Sequence, residues 1–173
     1  MAAAILPLSM SVGPFARARL NLLERSLLFT QDVCLRLGRG PTRTAHLQVG
    51  ERGEVSAYFH VRRLGFTVVA RQWRCAGLRG DLDLVAWDGE TLCFVEVKTR
   101  SARDAFAAEL AVDKDKRAML RKMARAYMRQ LDDAQQIAVR FYILTVYFAG
   151  ERPEFELFRA AFGWSEPRPE QWY

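Results

Sequence analysis

The sequence predicts an α/β protein with a mixed central β-sheet flanked by helices. Three observations carry that expectation. A hairpin is centred on Asp88-Gly89, a long amphipathic helix follows it from Asp113 to Leu131, and a long apolar strand, Ile137 to Phe148, follows the helix. The hairpin has to be antiparallel. A strand reached through a helix can run parallel to the one before it, so the sheet is mixed.

Residues 1–45 read as an N-terminal extension. Met1 to Val12 is small and apolar, lacks the positive start of a secretory signal, and is broken by Pro7 and Ser9. Arg17, Arg19 and Arg25 come next with no acid before Glu24. A transit-type leader, a disordered extension and an early start codon all stay open as readings. From Ala16 to Leu37, Leu20, Leu23 and Leu27 recur at helical spacing, which predicts one amphipathic helix. Gly38-Arg39-Gly40-Pro41 ends it as a linker, with Arg36, Arg39 and Arg43 around it.

The α/β domain is expected over residues 46–162. It opens with a helix from Gln48 to Leu64, with Val55, Phe59 and Leu64 on the inner face and Gly65 as its C-cap. Phe66 to Trp73 alternates well enough for a strand, and Cys75 to Gly80 is a loop. Ser101 to Val112 is irregular. On the helix that follows, Met119, Met123, Ala126, Tyr127 and Leu131 recur at three- and four-residue steps. Its opposite side carries Lys114, Arg117, Arg121, Lys122, Arg125 and Arg129, each read singly as part of a solvated face. Glu154 to Arg159 is a last strand. Residues 163–173, with Pro167 and Pro169, form an irregular tail.

The chemistry concentrates in the hairpin. Phe94, Glu96 and Lys98 share one face of the second strand, and Val95 and Val97 the other. On the first strand Asp81 and Asp83 lie opposite Leu82 and Leu84. Pairing about Asp88-Gly89 brings Asp83 near Glu96, so two acids and a lysine meet in one small volume. Crowded carboxylates repel and are costly to desolvate, and a divalent cation removes both problems. Hard oxygen ligands suit Mg²⁺ or Mn²⁺. A neighbouring lysine can then orient or deprotonate a metal-activated water and stabilise charge on a phosphate. The plainer alternative is an exposed face of weakly paired surface ions.

Composition narrows the field. The chain has 173 residues and a formal charge of +6. Its isoelectric point near 9.6 points to polyanionic partners, nucleic acid or a membrane surface. Cys34, Cys75 and Cys93 are odd in number and widely spaced, which suggests neither a disulfide framework nor a metal site. A reducing, cytoplasmic setting fits. His46 and His60 are the only histidines, so a histidine metal site or a Ser-His-Asp triad is hard to build. No apolar run is long enough to span a bilayer, and no membrane partner is expected.

Gly50, Gly53-Glu54, Ala57, Gly65-Phe66, Arg71, the loop Arg74 to Gly80, Asp83-Leu84-Val85, Phe94 to Arg100, Lys116, Ala126-Tyr127 and Arg140-Phe141 together resemble a known pattern. It is that of the PD-(D/E)xK nuclease superfamily and, more closely, of the YraN family. These are small bacterial endonuclease-like proteins, similar in fold to archaeal Holliday-junction resolvases. The resemblance covers about Val49 to Phe162. It implies a restriction-endonuclease-like core, here with an extra N-terminal helix. It further implies a metal-dependent endonuclease acting on structured or branched DNA in repair or recombination. The alternative is a non-catalytic nucleic-acid-binding or protein-interaction module that keeps the fold.

Residue by residue, the resemblance makes Asp83 the metal-binding aspartate, Glu96 and Lys98 the acid-x-lysine pair, and Glu54 the helix acid that completes the metal-water shell. Gly53 would let that helix approach the sheet closely. Arg100, one strand step past Lys98 on the same face, could hold a phosphate bidentately. Lys116 and Arg121, near the start of the basic helix, are further candidates for contact with the DNA backbone. A homodimer is attractive, because a resolvase needs two symmetric sites. Two positions depart from the family: Asp81 stands where it usually has Glu, and Tyr142 where it commonly has Asp.

Overall fold

The computed structural model describes residues 13–36, 45–101, 112–132, 134–149 and 152–165. The expected linker at Gly38–Pro41, most of the Ser101–Val112 segment and most of the tail lie outside these residues. In chain order the elements are α1 (Pro14–Arg36), α2 (Ala45–Arg63), β1 (Thr67–Trp73), β2 (Leu82–Asp88), β3 (Thr91–Arg100), α3 (Lys114–Met128), β4 (Ala138–Tyr147) and β5 (Glu154–Phe162).

The five strands form one sheet in the order β1-β2-β3-β4-β5. All neighbours are antiparallel except β3 and β4, which run parallel from Thr91↔Ala138 to Arg100↔Tyr147. The expected mixed sheet is therefore present, and its parallel pair is the one bridged by α3. The β2–β3 turn closes in two residues, with Asp88 opposite Thr91. Gly89 has φ +62 and Glu90 does not share the positive sign, the pattern of a type II′ turn.

Alternation along the strands divides the core between the two faces. Leu84, Ala86, Cys93, Val95, Val97, Tyr142, Leu144 and Val146 face α2, meeting Ala57 and Val61. Val85, Leu92, Phe94, Phe141 and Ile143 face α3, meeting Leu120, Met123 and Ala124. The central strands β3 and β4 are covered on both sides, which is why they read as near-continuous apolar runs. Each large side chain buried in this way contributes about 1.5–3 kcal/mol.

Leu64, expected on the inner face of α2, is exposed instead. The helix stops at Arg63, and Gly65 at φ +98 turns the chain in a Schellman arrangement. Phe66 N–H donates to Val61 O at 3.1 Å and Gly65 N–H to Arg62 O at 3.1 Å. Phe66 takes the buried place that periodicity assigned to Leu64. The last strand runs on to Phe162, beyond the expected end at Arg159. An irregularity opposite Phe141–Ile143, with Ala160 at φ +51, breaks its alternation. The other edge strand, β1, has its register shift between Val68 and Ala70, and Gln72 has φ +46.

Candidate functional site

The acid pair assembles where the β2–β3 ladder opens. The last paired residues are Leu84 and Val95. One step on, the Asp83 side chain enters the ladder: its Oδ2 accepts from Val97 N–H at 2.7 Å. Glu96 lies on the α3 side of β3, only 3 % exposed. Lys98, two residues on and on the same face, places Nζ 2.9 Å from Glu96 Oε1. Strand alternation thus delivers the predicted acid, acid and lysine to one place.

A fourth group arrives from α3. Asp113 caps that helix, its carboxylate accepting from Lys116 N–H at 2.7 Å. The cap fixes the first turn, so the Lys116 side chain reaches over the sheet and sets Nζ 2.9 Å from the same Glu96 Oε1. Lys116, expected as a phosphate contact on a helix surface, belongs to the site itself. Two ammonium groups share one carboxylate oxygen, while Glu96 Oε2 is buried without a hydrogen-bond partner. Thr145, the register partner of Lys98 on β4, is fully buried and its hydroxyl also lacks a partner. Nothing in the sequence marked Thr145. It could be found only once β4 was known to run parallel to β3.

The electrostatics follow from this crowding. Burial pushes the Asp83 carboxyl up to about 8, and the Glu96 charge pushes the same way. The Val97 N–H and Lys116 oppose the shift without reversing it, and Glu54 adds to it. Burial works against the Lys116 ammonium, but Glu96, then Asp83 and Asp81, outweigh it and hold its pKa above the ordinary value.

Glu54 sits on α2, where the helix comes closest to the end of β3. A Cβ on Gly53 would collide with Thr99 Oγ1, so glycine is required for that approach. Glu54 feels Asp83, yet its Oε2 is engaged by Gln72 Nε2 at 2.7 Å. Gln72 makes this bond from a left-handed backbone conformation that L-residues rarely adopt. Among the described residues, no three His, Cys, Asp or Glu side chains are gathered closely enough to hold a metal ion. The carboxylates that do meet are Asp83 and Glu96. Asp81 is a flanking acid, paired with Arg74 Nη2 at 3.2 Å. It borders an open cleft of about 470 Å³ lined by Arg74, Cys75, Ala76, Leu78 and Gly80.

The basic candidates separate. Arg100 ends β3 opposite Tyr147, on the face and at the end of the strand that carry Lys98. Arg121 does not lie on a solvated face: it is 7 % exposed, and its Nε donates to Gly163 O at 2.7 Å. Its guanidinium lies 5.3 Å from the Phe162 ring centroid. Arg121, expected as a DNA contact, is therefore covered and not presented to a DNA backbone. Residues from the far end of the chain cover it, and helical periodicity cannot foresee that.

A five-stranded mixed sheet between helices, with an acid-x-lysine pair at the end of a central strand, is the nuclease-like α/β layout. Residues 53–146 match a family described as "Uncharacterised protein family UPF0102". A UPF0102 protein of Koribacter versatilis (strain Ellin345) is 46% identical over 122 residues, 70% of this chain and 84% of the relative. One of Solibacter usitatus (strain Ellin6076) is 47% identical over 113 residues, 65% of this chain and 84% of the relative. One of Geobacter metallireducens is 35% identical over 117 residues, 66% of this chain and 91% of the relative. The chain belongs to the UPF0102 family, the YraN family that its motifs resemble.

Proposed function

We propose that the protein is a divalent-metal-dependent endonuclease that acts on the phosphate backbone of structured or branched DNA. The observation that carries this reading is the state of Glu96. A buried carboxylate with two lysines on one oxygen and no partner on the other, beside a second acid, makes poor stability sense. It makes good sense as one side of a divalent-cation site. Asp83 and Glu96 would hold Mg²⁺ or Mn²⁺, with Glu54 contributing through water on release from Gln72. Bound there, the ion would supply Lewis acidity to a water and a phosphate oxygen.

The chain's own groups do the rest. Lys98 orients the attacking water and donates to the phosphoryl oxygen on which charge accumulates. Lys116 presents a second cation to the same phosphate. Arg100, with Arg74 and Arg79 exposed on the loop before β2, contacts the flanking backbone.

The test is a cleavage panel with Mg²⁺ or Mn²⁺ on duplex, flap, single-stranded and four-way-junction DNA. Wild type should cut at least one branched substrate. Lys98→Ala should lose cleavage and keep most of its DNA affinity. Absence of cleavage on every substrate, with DNA binding intact, would favour the non-catalytic reading, which the Glu54–Gln72 bond supports. Cytoplasmic residence is part of this proposal. Among the described residues, no helix is long and apolar enough to cross a membrane.

A further inference from the structure

Helix α1 is docked with its apolar side outward. The side that meets α2 is largely polar: Arg63 Nη1 lies 2.5 Å from Glu24 Oε2 and 3.2 Å from Asn21 Oδ1. Among the described residues, Leu20 and Leu28 join Val55, Tyr58 and Phe59 in a small apolar contact. Five other large apolar side chains of α1 are exposed. Phe15 is 90 % exposed, Leu22 67 % and Phe29 70 %, and Leu23 and Leu27 are exposed beside them. Phe15, Leu22 and Phe29 are seven residues apart, so they fall in one row along about 21 Å of helix. A solvated helix normally buries such a row, and an exposed contiguous one marks an interaction surface.

Charge identifies the occupant. Arg17, Arg19 and Arg25 are exposed on α1. Helical spacing puts Arg19 within the outward apolar face and Arg25 at its border. Glu24 is turned inward and held by Arg63, so it neutralises none of this surface. A second copy of the chain fits poorly. Laying the face on itself under two-fold symmetry buries Arg19 among apolar side chains, which is costly. DNA phosphates would satisfy the arginines and leave the five apolar side chains wet. A single convex helix, apolar and cationic together, matches the surface of an anionic bilayer. Phe and Leu can enter the acyl boundary there, while arginine stems snorkel to the headgroups.

We infer that the outward face of α1 lies on an anionic lipid surface, tethering the domain without crossing the membrane. The inference is independent of the nuclease reading. The full chain would be sedimented with vesicles of phosphatidylcholine alone and with vesicles containing about a third phosphatidylglycerol. Wild type should bind the anionic vesicles at least about tenfold more tightly. The variant Leu22→Ser/Phe29→Ser leaves charge unchanged and alters only exposed positions. It should keep the wild-type Tm and lose at least about tenfold in vesicle affinity. Equal binding by wild type and variant would overturn the proposal, since charge alone would then account for it. Failure of wild type to bind either vesicle would overturn it in favour of an acidic protein partner. A dimer in sedimentation velocity without lipid, abolished by the same variant, would overturn it in favour of a second copy.

Discussion

The two ends of the β2–β3 hairpin each hold a cluster of charged and polar side chains, and the two clusters are built on opposite terms. At the turn end, Asp88 Oδ2 accepts from Tyr142 OH at 3.2 Å and from Arg159. Arg159 in turn covers the rings of Phe66 and Tyr142. No buried polar atom of that cluster lacks a partner. At the open end, Asp83, Glu96, Lys98 and Lys116 include an unpaired buried oxygen and a carboxyl whose ionisation the fold resists. A polar cluster that serves stability closes its own hydrogen bonds. One that leaves a buried acceptor open stores its interaction for something that arrives later.

The largest effect expected from breaking this contrast comes from Asp83→Asn. Asparagine still accepts from Val97 N–H but carries no charge. Any cleavage activity should fall by about 10³-fold or more, equivalent to ~4 kcal/mol in the barrier. Stability without metal should instead rise. Burial, with the Glu96 charge beside it, pushes the folded Asp83 carboxyl from 3.8 up to about 8, so its cost to the fold begins above the lower value and grows as pH rises. Wild type should therefore lose stability as pH rises through that window, and Asp83→Asn should remove that loss. Urea unfolding at a series of pH values with a chelator measures it. A variant less stable than wild type at pH 8 would refute the stored-strain account.

At the other end, Asp88→Ala should cost about 1 kcal/mol in urea, because it removes the acceptor of the Tyr142 hydroxyl while Arg159, half exposed, turns to water. Any cleavage activity of the folded variant should match wild type. A smaller effect is expected from His60, which stacks on Phe155 with centroids 4.0 Å apart. Burial and then Arg63 hold its pKa down to about 4. A depressed histidine favours the fold while neutral, so that contribution is present above the free value of 6.5 and is lost as pH falls towards 4. Allowing for its partial solvent exposure, about 1 kcal/mol should disappear across that range. His60→Phe should remove the dependence in the same pH series.

Much of this was legible in the sequence because strand alternation and turn chemistry are local. Asp88-Gly89 set the register that brings Asp83 to Glu96, and two-residue alternation put Lys98 beside them. The convergence of Lys116 on Glu96 was not legible. It depends on the crossover from β3 to β4 that lays the start of α3 over the sheet, a contact between segments 20 residues apart. Arg121 misled for the same reason in reverse. Its place on the helix suggested solvent, and only the return of Phe162 and Gly163 decides otherwise. Leu64 was lost to a turn: the period ran one residue further than the helix.

Both outer strands of the sheet carry the same pair of faults. Strand β1 has its slip at Val69 and a left-handed Gln72; β5 has its slip opposite Phe141–Ile143 and a left-handed Ala160. An extended segment from another molecule, arriving to zip along either margin, would find its hydrogen-bonding partners out of step within a few residues. The slips thereby disfavour recruitment of a further strand at either margin. Ribbon-like templating between copies is disfavoured with it, which turns any assembly of this protein towards its helices and side chains.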